Sequence, residues 1–257
     1  MAKSPNWTRE ELILAFNLYL KLPFGKLHSG NPEIIKLSQL LGTRSPSSVA
    51  MRLNNFAAVD PYHQERGIAG LSGGYNQVKP IWDEFIDHQE DLVFESERIL
   101  AEYQQSTIEE EYPEIAFDLK DLKGETKIRA VKTRVNQSVF RQMILKTYES
   151  RCAISLINQP DLLVAGHIVP WAANEHERLN PANGICLSHL YDRAYEKGMI
   201  CIDTDYKILI SRRLKEEATQ PFFNDFFGRF EHKTILLPRH YQPRKEFLEY
   251  RLERFIA

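Results

Sequence analysis

His167 closes a short apolar run, Leu163-Val164-Ala165-Gly166-His167, and two acids, Asp192 and Glu196, follow four residues apart. On a helix that spacing projects both carboxylates from one face. A histidine facing two such carboxylates can activate water beside a hard divalent cation. Asn183-Gly184 stands between them, opening a second apolar run, Ile185-Cys186-Leu187. The order reads as strand, loop, strand, helix. The same residue types also occur as a core histidine, a turn asparagine and two surface acids, and types alone leave both readings open.

Further ordered pieces surround these residues: Cys152-Ala153-Ile154-Ser155, Gly166-His167-Ile168-Val169-Pro170-Trp171, Arg178-Leu179-Asn180-Pro181-Ala182-Asn183-Gly184 and Ala194-Tyr195-Glu196-Lys197-Gly198. In that order they resemble an HNH endonuclease of the ββα-metal type. The similarity is to the restriction-type branch, whose motif runs roughly C-A-I-T-G, A-S-H-I-x-P-W, R-x-x-P-x-N-G-L-x-L and F-D-x-G. The lead-in Arg134-Val135-Asn136-Gln137-Ser138-Val139-Phe140-Arg141 and the tail Pro243 to Phe255 are similar as well.

The resemblance implies hydrolysis of phosphodiester bonds in double-stranded DNA with Mg²⁺ or Mn²⁺. His167 is then the general base, Asp192 and Glu196 hold the metal, and Asn183 pins the loop and helps orient the base. Arg178 matches the family's arginine before the central asparagine, in phosphate contact or loop anchoring. His189, entering the helix, is a phosphate contact or a partly exposed bystander. Three positions depart from the pattern. Gly166 stands where many HNH nucleases place a ligand before the base. Glu196 replaces a frequent aspartate, and Arg251 a frequent histidine.

At 257 residues the chain has length for one large domain or two small ones. Its 43% hydrophobic and 26% charged residues are ordinary for a globular protein. No apolar run approaches the roughly 20 residues of a membrane span. The N-terminus lacks a signal-peptide core, so an intracellular, cytoplasmic location and no membrane partner are expected. Cys152, Cys186 and Cys201 form no C-x-x-C pair, which argues for reduced buried thiols rather than structural zinc. A formal charge of −2 excludes indiscriminate coating of polyanions but not a basic face.

Capping patterns predict helices over 7–20 (Thr8 and Glu11), from Asn31-Pro32 to Gly42, and from Ser45-Pro46 onward. The last two have the shape of a helix-turn-helix. On that reading Val49, Leu53 and Phe56 point inward, while Ser47, Ser48, Arg52 and Asn55 lie on the other side. Ser47, Ser48 and Arg52 then reach phosphate or base edges. The alternative is a small helical domain that touches no DNA. Gly67 to Gly74 reads as a connector, and a helix is expected from about Ile81 to Gln105.

The expected organisation is a helical N-terminal domain over 1–105, a linker over 106–130 and an HNH nuclease domain over 131–257, an α+β chain. The basic run Lys120, Lys123, Lys127, Arg129, Lys132 and Arg134 is either solvated or tracks a DNA backbone. In the last part a helix over Val139 to Tyr148, two strands over 199–203 and 206–211, a core segment over Phe222 to Phe230 and a terminal helix over 244–256 are expected. A restriction-type endonuclease is the reading that follows, with a homodimer as the simplest route to cutting both strands. The competing class is a non-catalytic DNA-binding regulator that keeps a degenerate nuclease fold.

Overall fold

Thr8 and Glu11 cap each other: the Thr8 hydroxyl accepts from the Glu11 N–H at 3.3 Å and the Glu11 carboxylate from the Thr8 N–H at 2.9 Å. That reciprocal cap opens helix α1 (Arg9–Lys21) in a computed structural model that describes residues 6–22, 24–65, 71–113 and 123–256. Asn31 caps α2 (Pro32–Leu41), which ends on Gly42 at φ +66°, a conformation glycine adopts without strain. Ser45 caps α3 (Pro46–Val59), and proline begins both helices, where a missing N–H costs nothing. A short α4 (Pro61–Glu65) follows.

The chain divides into two compact units, Met1–Asn136 and Gln137–Ala257. In the first, α1, α2 and α3 share a core with α5 (Tyr75–Phe85) and α6 (Gln89–Tyr103). Phe16 stacks on Phe56 with centroids 4.7 Å apart, and Tyr19 and Trp82 pack around them. Each such buried side chain contributes about 1.5–3 kcal/mol. The single helix expected from Ile81 to Gln105 is two helices, parted at Ile86-Asp87-His88, where Asp87 and His88 are weak helix formers. Asn55 also differs from expectation. It is 4% exposed, and its amide donates to the Leu71 carbonyl.

The stretch 106–130, expected as a linker, carries helix among its described residues. A second reciprocal cap, Thr107 with Glu110, opens α7 (Ile108–Glu111), and α8 (Gly124–Thr147) begins within it. Lys120 and part of the glycine-rich run 67–74 lie outside the described residues.

In the second unit, β1 (Leu163–His167) pairs antiparallel with β2 (Gly184–Ser188), from Leu163↔Ser188 to His167↔Gly184. Helix α9 (His189–Glu196) follows directly, and the chain turns away at Gly198, φ +62°. A second hairpin joins β3 (Ile200–Ile202) to β4 (Ile208–Ile210), its turn built on Asp203, whose carboxylate accepts from the Asp205 and Lys207 N–H groups at 2.9 and 2.8 Å. Then come α10 (Arg212–Lys215), α11 (Pro221–Phe226) and α12 (Lys245–Ile256). The aromatic stretch expected as core is only half so: Phe223 and Phe227 are buried, while Phe222 and Phe226 are exposed. One face of a short helix cannot bury all of them. All three cysteines are buried and free. The architecture is α+β, a helical N-terminal part followed by a ββα arrangement. Among the described residues no helix is long and apolar enough to cross a membrane.

Candidate active site

The hairpin can close against α8 because Gly184 has no side chain. A Cβ there would stand 2.8 Å from Phe140 Cζ and closer still to Ile144. Opposite Gly184 sits His167, whose ring stacks on Phe140 at 3.9 Å between centroids and 13° between planes. Trp171 meets the same ring edge-on, at 5.4 Å and 88°. His167 Nε2 lies 2.8 Å from the Arg178 carbonyl oxygen. A carbonyl only accepts, so in the neutral ring Nε2 carries the proton and Nδ1 keeps the lone pair. Burial pushes the His167 pKa below its ordinary value, the hydrogen bond to Arg178 opposes this, and the Arg178 charge adds to the lowering. The neutral, proton-accepting form is thereby favoured.

Asn183 is 1% exposed and spends its side chain on backbone. Its Oδ1 accepts from the Val169 N–H at 2.8 Å, and its Nδ2 donates to the carbonyls of Val169 and Glu177 at 3.2 and 3.0 Å. The residue ties the loop 169–177 to the start of β2. It holds the ground on which His167 stands rather than facing solvent. Arg178 is also turned inward: its Nε donates to the Trp171 carbonyl at 2.8 Å, and its guanidinium lies 5.1 Å from the Trp171 ring centroid. Its carbonyl meets His167 while its side chain meets Trp171, contacts that tie this part of the loop together.

Asp192 lies in the first turn of α9, directly over the strand. A Cβ built on Gly166 would be 2.8 Å from Asp192 Oδ1, closer than real Cβ atoms come. A side chain on the residue before His167 would therefore have to displace the Asp192 carboxylate, the movable end of its side chain. Burial raises the Asp192 pKa and Glu196 raises it further, while His189, Arg251 and Arg193 pull it down; no hydrogen bond contributes. Glu196 is exposed and pairs with Arg193 at 3.4 Å. His189 is exposed at the head of α9. Arg251 donates to the Tyr195 carbonyl at 3.0 Å and lies over the Tyr195 ring, at the C-terminal end of the helix where positive charge is favourable.

The remaining expected contact residues belong to the first unit. Ser47 is exposed and Ser48 half-buried at the start of α3. Arg52 is half-buried with its guanidinium 4.9 Å from the Trp7 ring centroid, and its Nε and Nη1 are buried without a hydrogen-bond partner among the described residues. It therefore extends less freely than a base-reading arginine on an open helix face. Lys132 is ion-paired with Asp91, whereas Arg134 is exposed.

Among the described residues no cluster of three or more His, Cys, Asp or Glu side chains is gathered for a metal. Asp192 and Glu196 offer two hard oxygen donors, and among the described residues no hydrogen bond to the Asp192 carboxylate offsets its burial. That set fits Mg²⁺ or Mn²⁺ completed by water and a substrate oxygen, and does not fit a closed protein cage.

A hairpin ending on a half-buried histidine, a loop pinned by asparagine and a helix bearing two acids together define a ββα nuclease arrangement. The family model for HNH endonuclease matches residues 152–203, a span that holds His167, Arg178, Asn183, His189, Asp192 and Glu196. Over this segment the chain is similar to HNH endonucleases, a kind of nuclease that generally uses a divalent metal and acts on nucleic acid. No curated protein matches the chain. Phe140, on a helix face expected to point to the core, and Trp171, in the same motif as His167, were not expected to hold the histidine ring.

Proposed function

We propose that the chain is a metal-dependent endonuclease that hydrolyses phosphodiester bonds of double-stranded DNA, with a restriction-type role in defence. The reading is carried by one observation: inside the segment matching the HNH model, a neutral-favoured histidine with a free Nδ1 lies one residue from the strand position covered by an undonated carboxylate. His167 Nδ1 takes the proton of the attacking water, and the resulting imidazolium stays anchored through Nε2–H on the Arg178 carbonyl. Asn183 and Arg178 keep the loop and the ring in place. Asp192 and Glu196 would hold the divalent cation, which would supply stabilisation of charge on the phosphate and the departing oxygen. Ser47, Ser48, Arg52, Lys132 and Arg134 contribute contacts to DNA, and His189 lies at the phosphate. Two copies related by a two-fold axis make the double-strand cut.

Incubating the purified chain with plasmids of differing base modification, in Mg²⁺ or Mn²⁺ with and without chelator, tests this directly. Metal-dependent loss of the supercoiled form is expected. Tight DNA binding with supercoiled plasmid intact on every substrate would instead make the protein a non-catalytic DNA-binding regulator. Sedimentation with DNA tests the dimer, and a monomer that only nicks removes it.

A further inference from the structure

His167 is held from three sides, and one of them comes from a residue to which the nuclease reading gives no role. Nε2 meets the Arg178 carbonyl at 2.8 Å, and Trp171 stands edge-on at 88°. A broad face of the ring is covered by Phe140, nearly parallel at 13° and 3.9 Å away. Phe140 is 1% exposed and cannot yield easily, because its Cζ lies close against Gly184, the strand partner of His167. Histidine, glycine and phenylalanine thus close a circuit: paired strands on one side, a ring stack on the other.

We propose that Phe140 is a positioning residue for His167, fixing the imidazole plane so that Nε2–H stays on the Arg178 carbonyl and Nδ1 presents its lone pair in one direction. Its catalytic consequence rests on the nuclease reading. The physical need is clear from the torsion involved. The second side-chain torsion of histidine is broad and roughly two-fold, and one hydrogen bond fixes a single point of the ring. A flat surface stacked at contact distance removes the remaining tilt. An aliphatic side chain of similar volume fills the space but supplies no plane, and a misdirected base lowers the rate of the chemical step rather than substrate binding.

The test uses the full chain with Phe140→Leu, and Phe140→His as the variant that restores a flat ring without reaching toward Gly184. Long-range ¹⁵N–¹H spectra, with His167 signals assigned by their loss in His167→Gln, read the tautomer; steady-state cleavage separates kcat from KM. Phe140→Leu is expected to mix the two tautomers and to lower kcat about 10-fold or more with KM little changed. Phe140→His is expected to recover a single Nε2–H tautomer and most of kcat. If far-UV circular dichroism shows Phe140→Leu unfolded, Phe140→Met replaces it, being unbranched and equally without a plane. A single Nε2–H tautomer with wild-type kcat in the aliphatic variant overturns the proposal, as does an equal loss in the aliphatic and flat-ring variants. Absence of cleavage by the wild-type protein overturns the nuclease reading instead, and the imidazole spectrum then still decides whether Phe140 fixes the ring.

Discussion

Glu11 and Asp192 are both carboxylates drawn out of bulk water at the first turn of a helix, and the protein treats them in opposite ways. Glu11 is 4% exposed and accepts from Arg44 Nε at 2.9 Å, Arg44 Nη2 at 2.7 Å and the Thr8 N–H at 2.9 Å. Burial on its own raises a carboxylate pKa, but the Arg44 hydrogen bonds and then that of Thr8 outweigh it, and Glu11 ends below its ordinary value. Asp192 has the same burial effect and Glu196 adds to it; the charges of His189, Arg251 and Arg193 oppose them without outweighing them, and the pKa ends raised. A fold that needs a carboxylate only for its own cohesion surrounds it with donors, as at Glu11. A carboxylate left without donors beside a second one is costly to keep ionised, which suits the proposal that a divalent cation binds there.

The largest effects should appear where the comparison is broken by substitution. Asp192→Asn removes a repulsion, so unfolding should be unchanged or slightly delayed while Mg²⁺-dependent cleavage collapses. His167→Ala should lose about 10²–10⁴-fold in cleavage, the usual worth of a general base, with DNA binding retained. The two variants should part in one respect: excess Mn²⁺ should partly restore Asp192→Asn, whose ligand is weakened, and not His167→Ala, whose base is gone. Gel-shift affinity, thermal melts and plasmid cleavage on the same preparations check all of this. An Asp192→Asn protein that melts early would place Asp192 with Glu11, as a structural acid, and end the contrast.

Arg44→Met is the counterpart in the first unit. It strands Glu11, 4% exposed, without its cation, and breaking a buried pair by removing one partner costs about 3–5 kcal/mol. Urea unfolding of that unit should report the loss, and Glu11→Leu with Arg44→Met should recover much of it. The pH dependences also have opposite signs. The Glu11 pKa is depressed in the fold, so its stabilisation is present above 4.5 and is lost as pH falls through the lowered folded value. The Asp192 pKa is raised, so its ionisation works against the fold: stability is fully present below 3.8 and declines as pH rises through the folded value.

The sequence disclosed what is local and concealed what is not. Thr8 with Glu11, Asn31-Pro32 and Ser45-Pro46 announce helix starts because a cap is decided within four residues. The order of His167, Asn183, Asp192 and Glu196 was legible because the hairpin and its helix are contiguous. Asn55 was misplaced because its partner, the Leu71 carbonyl, arrives from a distant turn. Gly166 reads in sequence as a missing ligand, and its tertiary setting was hidden: the Asp192 carboxylate lies where a Cβ would come. The stack of Phe140 on His167 was likewise hidden, since nothing in the spacing says which core phenylalanine meets which ring.

Gly166→Ala sharpens the comparison with a smaller change. The new methyl would fall 2.8 Å from Asp192 Oδ1, so the carboxylate must swing aside while its charge survives. Cleavage should fall about 10-fold or more, because a misplaced but intact group costs less than its removal. A Gly166→Ala protein with undiminished cleavage would show that the position of Asp192 is immaterial, and with it the reason for glycine there.

The smallest effect is binding of the cation without DNA. With two protein carboxylates and the rest of the shell left to water, affinity should be weak, because Mg²⁺ parts from its hydration reluctantly. A cation at ten times its dissociation constant stabilises the fold that binds it by about 1.4 kcal/mol, a modest upward shift in melting temperature. Glu11 supplies the internal control: already satisfied by Arg44, it should gain nothing. The shift should therefore vanish in Asp192→Asn and persist in a variant of the first unit such as Ser47→Ala. It should also fade as pH drops through the raised Asp192 value, where protons compete for the same oxygens. A calcium or magnesium shift of equal size in wild type and Asp192→Asn would mean that the cation binds elsewhere, and that the undonated carboxylate over Gly166 is not what receives it.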